Sequence, residues 1–225
     1  GYKPDSKMVD GPVCIGNWCP QNYGRSYSGT VTLTDAIRRS INVIPVKLSI
    51  AFGKGNAKKG REIIMANVRK FGLTSPLTDT PSLPIGSGEV YVVEHAVAYA
   101  TFANKGRSNK AHAILEVRSG AGELVWRFDR DGPKPVQVMP ANIAADMARM
   151  MSTVVEAGTA RRAQLDGIPA AGKTGTTNAY RDAWFAGYTG NFSAAVWYGN
   201  DDYTPTNRMT GGSLPAKTWH DIMVA

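Results

Sequence analysis

Residue types that carry metal and redox chemistry are scarce in this sequence, which has two cysteines and three histidines in 225 residues. His112 and His220 have no acidic or cysteine partner at ligand spacing, and His95 lies in an apolar helical stretch typical of a protein core. No further ligand accompanies Cys14 and Cys19 to complete a zinc site. We therefore predict no metal and no cofactor. The two cysteines are expected to form a small disulfide in an oxidising compartment, with free thiols as the alternative.

Long apolar runs and basic runs are also missing. No stretch of 18 apolar residues occurs, so any membrane attachment is expected to come from an anchor outside this chain. The chain has neither an initiator methionine nor a signal peptide, and we interpret its start as internal to a protein. The net charge is +8, but no Lys/Arg run alternates with aromatic residues, which argues against nucleic-acid binding. The positive excess is compatible with an anionic substrate or membrane surface.

Helical patterns are frequent, whereas residues 1–30 are predicted to be loop. Thr34 is expected to cap a short helix, which Pro45 prevents from continuing because proline lacks an N–H and clashes with the preceding turn. A second helix is predicted from Pro45 to Gly53, so residues 40–42 fall at a break between two helices. Further helices are predicted over residues 60–71, 90–104 (mostly buried), 140–158 and after 211–213, where Trp219, Ile222 and Met223 should face inward.

Strand patterns occur in two places. Residues 113–118 and 123–127 flank a Ser-Gly-Ala-Gly turn and predict a β-hairpin. Residues 172–177, 184–188 and 194–198 predict an antiparallel meander of three strands. No repeat and no break in composition divides the chain, so we predict a single domain of mixed α and β structure over residues 1–225.

Residues 172–177 (GKTGTT) form the stretch on which a binding site is most readily built. Small side chains leave the backbone N–H groups accessible, Lys173 adds a positive charge, and the threonines add hydroxyl donors. Such a strand edge suits an anionic ligand that carries a carboxylate and a carbonyl. The simplest alternative is a surface turn rich in glycine and threonine.

A phosphate-binding loop is a second alternative, because residues 167–174 satisfy the pattern G-x-x-x-x-G-K-[ST]. That loop requires a buried strand before it and a helix that begins at the Lys-Thr pair. Here residues 161–166 (RRAQLD) do not resemble a buried strand, and Pro169 removes a donor N–H. The Lys-Thr-Gly element of serine enzymes that interact with penicillin is the third interpretation. Taken alone, Ser40 and Asn42 are most simply interpreted as caps of the broken helix ends.

Three stretches together resemble the transpeptidase domain of class A penicillin-binding proteins. Residues 30–42 (TVTLTDAIRRSIN) resemble the stretch that carries the Ser-x-Asn element, and residues 83–106 resemble the helical region that follows it. Residues 172–177 with 182–188 (DAWFAGY) resemble the Lys-Thr-Gly element. The order and the gaps agree over nearly the whole chain. The resemblance implies an α+β fold like that of serine β-lactamases and penicillin-binding transpeptidases, with an antiparallel sheet flanked by helices and incomplete in this chain.

One departure from the family is serious, because no serine in this sequence has a lysine three residues later. The nucleophile of the family is the serine of a Ser-x-x-Lys element that precedes the Ser-x-Asn element. We therefore expect the nucleophile to lie upstream, with this chain as the C-terminal part of the domain. The glycosyltransferase domain and the membrane anchor of the class are also expected outside it.

The resemblance implies a peptidoglycan D,D-transpeptidase on the periplasmic, extracytoplasmic face of the bacterial inner membrane. A serine would attack the D-Ala-D-Ala carbonyl of a stem peptide, and β-lactams would acylate the same serine. Ser40 would relay a proton, Asn42 would orient the lysines and the substrate amide, and Lys173 would make the cleft positive. The implied substrate contacts are Thr174, Gly175, Thr176 and Thr177, with the Thr174 and Thr176 hydroxyls on the carboxylate and the Thr176 N–H in the oxyanion hole.

Other functions remain open at this point. A penicillin-binding fold without its own nucleophile could act as a cell-wall binding or regulatory module. A D,D-carboxypeptidase would share the acylation step. A β-lactamase is disfavoured because no glutamate between the second and third motifs lies in a loop suited to deacylation.

Overall fold

A short hairpin precedes the first helix in the computed structural model, which describes residues 1–225. Strand β1 (Lys7–Asp10) pairs antiparallel with β2 (Gly29–Thr32). The intervening residues 11–28, here called the β1–β2 loop, contain a disulfide that joins Cys14 and Cys19. The prediction of loop throughout residues 1–30 is therefore wrong for these two strands. Each has only four residues, too few to give a recognisable alternation.

The predicted break between the first two helices is present, with shifted ends. Helix α1 (Leu33–Arg38) begins two residues before the expected position, because Thr32 rather than Thr34 is its N-cap and accepts a hydrogen bond from the Asp35 N–H. Helix α2 (Val43–Phe52) starts before Pro45 and ends at Gly53. Proline is tolerated in the first turn because the N–H groups there have no partner within the helix.

Four later helices lie close to their predicted positions: α3 (Ala57–Lys70), α4 (Val92–Ala103), α6 (Ala141–Ala157) and α7 (Leu214–Val224). The single turn α5 (Phe128–Asp131) was not predicted. Two predictions of burial are wrong. Only Ala98 and Thr101 of α4 are fully buried. Ile222 of α7 is 54% exposed, while Trp219 is completely buried. Each helix packs on the sheet through one side, where Phe102 of α4 and Met223 of α7 are partly buried, whereas Val93 and Ile222 face outward.

Five strands follow the predicted order in the second half of the chain. The hairpin of β3 (Glu116–Arg118) and β4 (Leu124–Arg127) stands apart from the three-stranded antiparallel sheet. That sheet has the order β5-β6-β7, formed by β5 (Ala171–Thr176), β6 (Asp182–Tyr188) and β7 (Ser193–Gly199). Strand β5 is therefore an edge strand, with one side of its backbone free of any neighbouring strand.

Helices cover both faces of this sheet. Phe185 of β6 packs edge-to-face on Trp219 of α7, with ring centroids 5.3 Å apart. On the opposite face, Tyr188 packs with Met151 of α6 and Phe102 of α4. Alternate residues of a strand point to opposite faces, so Lys173, which is opposite Ala186, lies on the α4 face. The predicted α+β class with an antiparallel sheet flanked by helices is confirmed, and no helix is long and apolar enough to cross a bilayer.

Candidate active site

Two of the predicted site residues are in direct contact. The Lys173 Nζ donates a hydrogen bond to the Ser40 Oγ at 2.7 Å, although the residues lie 133 positions apart in the chain. A second hydrogen bond runs from the same nitrogen to the Thr174 carbonyl oxygen at 3.1 Å. Ser40 has a φ of 56°, in the left-handed region that non-glycine residues adopt only when surrounding contacts enforce it. The turn after α1 thus presents its hydroxyl to the free edge of β5.

The charge of Lys173 has no ionic partner, since this lysine takes part in none of the salt bridges of the structure. Its side chain is half-buried, and its polar contacts are the neutral Ser40 hydroxyl and a carbonyl oxygen. Desolvation favours the neutral amine and lowers the pKa of Lys173 from 10.5 to about 8. The site therefore holds an uncompensated cation that an anionic ligand would stabilise.

Asn42 occupies the N-cap position of α2, but its side chain makes no capping hydrogen bond. Its Nδ2 instead donates to the Gln21 carbonyl oxygen at 2.9 Å. The backbone N–H groups of Asn42 and Val43 donate hydrogen bonds to the Asn22 Oδ1, at 3.1 and 3.4 Å. The interpretation of Ser40 and Asn42 as helix caps is therefore wrong, because Asn22 supplies the cap and the Ser40 hydroxyl is bonded to Lys173.

The free edge of β5 exposes alternate backbone N–H groups. The Thr177 N–H donates to the Asp182 carbonyl oxygen at 3.0 Å, which makes residues 177 and 182 a hydrogen-bonded pair. Hydrogen-bonded and non-hydrogen-bonded pairs alternate along an antiparallel ladder. The adjacent pair of Thr176 and Ala183 is therefore not hydrogen-bonded, and the N–H groups of Thr174 and Thr176 point away from β6.

The three threonine hydroxyls differ in their contacts. The Thr174 Oγ1 lies 2.7 Å from the Thr159 Oγ1. The hydroxyl of Thr176, an exposed residue, accepts a hydrogen bond from the Gly211 N–H at 3.1 Å and keeps its own proton available. That of Thr177 accepts the Asp182 N–H at 2.7 Å and so closes the turn between β5 and β6.

Close backbone approach explains the glycines around this edge. A Cβ added to Gly211 would lie 2.1 Å from the Trp184 carbonyl oxygen and 2.6 Å from the Gly175 carbonyl oxygen. One added to Gly175 would lie 3.2 Å from the Trp184 Cβ. Residues 211–213 can therefore lie directly on the sheet only because Gly211 lacks a side chain, while Gly175 leaves room for the Trp184 side chain.

These groups line one large cleft of about 1090 Å³. Apolar residues of α1 and α2 form one wall, including Ile37 and Leu48. On the opposite side, the His95 ring stacks on Trp184 with centroids 5.4 Å apart and also on Tyr99. His95 thus packs as expected, and it also borders the cleft. All the predicted catalytic and substrate-binding positions border the same cleft: Ser40, Asn42, Lys173, Thr174, Gly175, Thr176 and Thr177.

A contact outside the cleft that was not predicted from the sequence joins the two parts of the chain that form the site. The Tyr23 hydroxyl of the β1–β2 loop lies 2.9 Å from the Tyr180 hydroxyl, which follows β5. This contact links the part of the chain that holds Asn42 to the part that carries Lys173. No local pattern could have indicated it, because the two tyrosines lie 157 positions apart.

The phosphate-loop alternative is wrong. Residues 171–176 form an extended strand, so no helix begins at Lys173 and Thr174. The backbone N–H groups of an edge strand lie in a row, whereas a phosphate loop wraps them around an anion at a helix N-terminus.

Comparison with known proteins identifies the family. The model of the penicillin-binding protein transpeptidase domain matches residues 2–224. Penicillin-binding protein 1A of Neisseria meningitidis is 34% identical over 221 residues, which cover 92% of this chain and 26% of that protein. Penicillin-binding protein 4 of Bacillus subtilis is 30% identical over 229 residues, covering all of this chain and 35% of that protein. The chain thus spans about a quarter to a third of the length of these relatives.

Solved structures show the same fold. PonA1 of Mycobacterium tuberculosis in complex with penicillin V superposes with a TM-score of 0.85 at 22% identity, over 99% of this chain and 63% of that one. Penicillin-binding protein 1A of Haemophilus influenzae superposes with a TM-score of 0.82 at 21% identity, over all of this chain and 39% of that one. Together with the matching family model, these similarities establish that the chain belongs to the transpeptidase-domain family of penicillin-binding proteins.

Proposed function

We propose that this chain supplies most of the cleft of a D,D-transpeptidase that cross-links peptidoglycan stem peptides. The observation that carries the proposal is the hydrogen bond between Lys173 and Ser40 at 2.7 Å, located beside the free edge of β5. An uncompensated cation, a mobile hydroxyl proton and unpaired N–H groups are the elements that acyl transfer at a peptide carboxyl terminus requires.

The nucleophile is a serine carried on a segment outside this sequence. Its oxygen attacks the carbonyl carbon of the penultimate D-alanine, and the C–N bond to the terminal D-alanine breaks. During the attack the hydroxyl proton of the nucleophile passes to the lysine of the Ser-x-x-Lys element. Ser40 gives its own proton to the departing amine and takes one back from that lysine, while its oxygen accepts a hydrogen bond from Lys173. An amine of a neighbouring stem peptide then attacks the ester, and the proton that it loses returns by the same path to the serine oxygen as the C–O bond breaks.

The free edge of β5 binds the substrate. The Thr176 N–H lies on that edge and serves as one donor of the oxyanion hole. The carboxylate of the terminal D-alanine is held by the hydroxyls of Thr174 and Thr176 and by the potential of Lys173. Asn42 borders the cleft and its Nδ2 is bound to the Gln21 carbonyl oxygen, so its Oδ1 serves as the acceptor for the substrate amide. Thr177 and Gly175 shape the edge through the β5–β6 turn and the close approach of Gly211.

β-Lactams fit the same cleft, because they combine a carboxylate with a strained amide carbonyl. Opening of the ring leaves the amine attached to the acyl group, so the adduct stays on the serine. An extracytoplasmic location follows from the same proposal. The disulfide between Cys14 and Cys19 supports it, since disulfides persist in oxidising compartments.

Intact-mass measurement after incubation with penicillin tests the proposal, with the protein expressed from its complete reading frame. We expect one penicillin adduct, which peptide mapping places on a serine outside residues 1–225. Ser40→Ala and Lys173→Ala should each slow acylation by about 10²–10³-fold. Ser152→Ala and Lys217→Ala serve as matched controls, because both residues lie on helices away from the cleft and should react normally.

Each other outcome has a definite meaning. An adduct on Ser40 would contradict the placement of the nucleophile. A protein that binds penicillin without forming an adduct would instead be a non-catalytic binding module. If an adduct forms outside residues 1–225, incubation with a stem peptide distinguishes a transpeptidase from a carboxypeptidase. A transpeptidase joins two stem peptides, whereas a carboxypeptidase only releases D-alanine.

A further inference from the structure

The β1–β2 loop holds the Ser40–Asn42 turn from outside the cleft. Asn22 Oδ1 accepts hydrogen bonds from the backbone N–H groups of Asn42 and Val43, at 3.1 and 3.4 Å. The carbonyl oxygen of the preceding residue, Gln21, accepts a hydrogen bond from the Asn42 Nδ2 at 2.9 Å. Two consecutive loop residues therefore fix both the backbone and the side chain of Asn42.

Asn22 is in turn oriented by a buried carboxylate. Its Nδ2 donates to the Asp10 Oδ1 at 2.8 Å and to the Ser26 carbonyl oxygen at 2.9 Å. Asp10 is only 2% exposed, and its Oδ2 accepts the Ser28 N–H at 2.8 Å. It takes part in no salt bridge. A buried carboxylate is tolerated only when hydrogen bonds compensate its charge. Only the NH₂ end of the Asn22 amide can donate to Asp10, so this pairing fixes the amide with its oxygen toward Asn42 and Val43.

The turn that these residues hold is under strain. Ser40 has a φ of 56°, and its hydroxyl must remain within 2.7 Å of the Lys173 Nζ. A left-handed serine persists only where neighbouring contacts over-determine it. On one side the turn is fixed by α1, through the hydrogen bond from the Ile41 N–H to the Ala36 carbonyl oxygen at 2.9 Å. On the other side it is fixed by Asn22.

We infer that Asp10 and Asn22 are positioning residues for the Ser40–Asn42 turn, acting through the chain Asp10–Asn22–Asn42. This inference rests on the proposed function, because the position of the turn matters only if Ser40 transfers a proton opposite Lys173. Neither residue borders the cleft, so neither touches the substrate. Their effect is expected in the chemical step, since displacing a reacting group by about 1 Å lowers a rate by about 10²-fold.

Asn22→Ala tests the inference in the protein expressed from its complete reading frame. Stopped-flow acylation with a fluorescent penicillin separates the limiting acylation rate from the apparent dissociation constant. We expect the limiting rate to fall by about 10- to 100-fold, with the dissociation constant changed less than about threefold. Asn17→Ala is the matched control, because Asn17 is exposed on the same loop and makes no side-chain hydrogen bond.

An exchange of the two side chains adds a rescue test. Asn22→Asp alone places two carboxylates in contact and should also lower the limiting rate. The double variant Asp10→Asn with Asn22→Asp restores one donor facing one carboxylate but not the hydrogen bond to the Ser26 carbonyl oxygen, so it should recover part of the lost rate. A double variant no faster than Asn22→Asp would overturn the coupling of the pair.

The remaining outcomes separate the inference from the proposed function. If the unaltered protein forms no acyl-enzyme, the proposed function fails, irrespective of Asn22. If it is acylated and Asn22→Ala reacts at the same limiting rate while its melting temperature falls, Asn22 only caps α2 and the inference fails. A change confined to the dissociation constant would also overturn it.

Discussion

The lowered pKa of Lys173 predicts how acylation depends on pH. Burial without an ionic partner brings this pKa to about 8. If the cationic form attracts the carboxylate of the ligand, activity follows the protonated fraction, which is about 90% at pH 7 and about 10% at pH 9. The second-order rate constant for acylation should therefore fall about tenfold between these pH values. A lysine with a pKa of 10.5 would lose only about 3% of its charge at pH 9.

The assay is the rate of labelling by a fluorescent penicillin from pH 6 to pH 10, again with the protein from the complete reading frame. Lys173→Arg retains a permanent cation, because the guanidinium stays protonated over this range, so its profile should lack the fall near pH 8. Lys217→Ala is the control, since Lys217 pairs with Asp221 on the exposed side of α7. Its profile should match that of the unaltered protein.

Three results would refute this reasoning. A rate that stays constant up to pH 10 would show that Lys173 keeps an ordinary pKa. A rate that rises through pH 8 would show that the neutral amine is the active form and that Lys173 acts as a base. A fall near pH 8 that persists in Lys173→Arg would assign the titration to another group.

Three further predictions concern stability, measured by denaturant unfolding. Trp219→Ala should lower the free energy of unfolding by about 3–5 kcal/mol, because its completely buried side chain leaves a cavity against the sheet. Replacement of Cys14 and Cys19 by serine should lower it by about 2 kcal/mol, as expected for the loss of a small closed loop. Gly211→Ala should destabilise by about 1–3 kcal/mol and slow acylation, since its Cβ would lie 2.1 Å from the Trp184 carbonyl oxygen and displace β5.

Two of these predictions have a control variant of the same residue type or in the same helix. Ile222→Ala removes an apolar side chain from the more exposed side of α7 and should change stability much less than Trp219→Ala. Gly190→Ala adds a methyl group where no atom lies within 4 Å, so it should be nearly neutral. Equal losses in Gly190→Ala and Gly211→Ala would contradict the steric argument, and an unchanged midpoint after loss of the disulfide would contradict the loop-closure argument.

Local rules predicted the elements wherever the cause lies within a few residues. Pro45 does separate two helices, because a missing N–H acts on the adjacent turn. The meander was predictable because β6 is a short run of apolar and aromatic residues and a glycine-containing turn follows it. The N-cap of α1 was misplaced because Thr32 and Thr34 are equally good caps locally. Pairing with β1 decides which of the two is the cap, because Lys7 pairs with Thr32 and keeps its backbone extended.

Contacts between elements that are distant in the chain could not be predicted from local sequence patterns. Trp219 and Ile222 are both apolar residues of α7, but only Trp219 faces Phe185. Which side of a helix is buried depends on where the sheet lies, and that position is set by contacts far away in the chain. The partner of Asn42 was hidden for the same reason, since Asn22 lies 20 positions before it and on an irregular loop.

The residue types that give the cleft its chemistry could therefore be recognised in the sequence. The distances between them could not. Lys173, the threonines and the glycines of residues 172–177 already indicated an edge for an anionic ligand, because side-chain charge and size are properties of single residues. The contact of Lys173 with Ser40, its lowered pKa and the strain of the turn arise only when 133 residues fold to close the distance. Burial and distance are properties of the folded chain, and no local period encodes them.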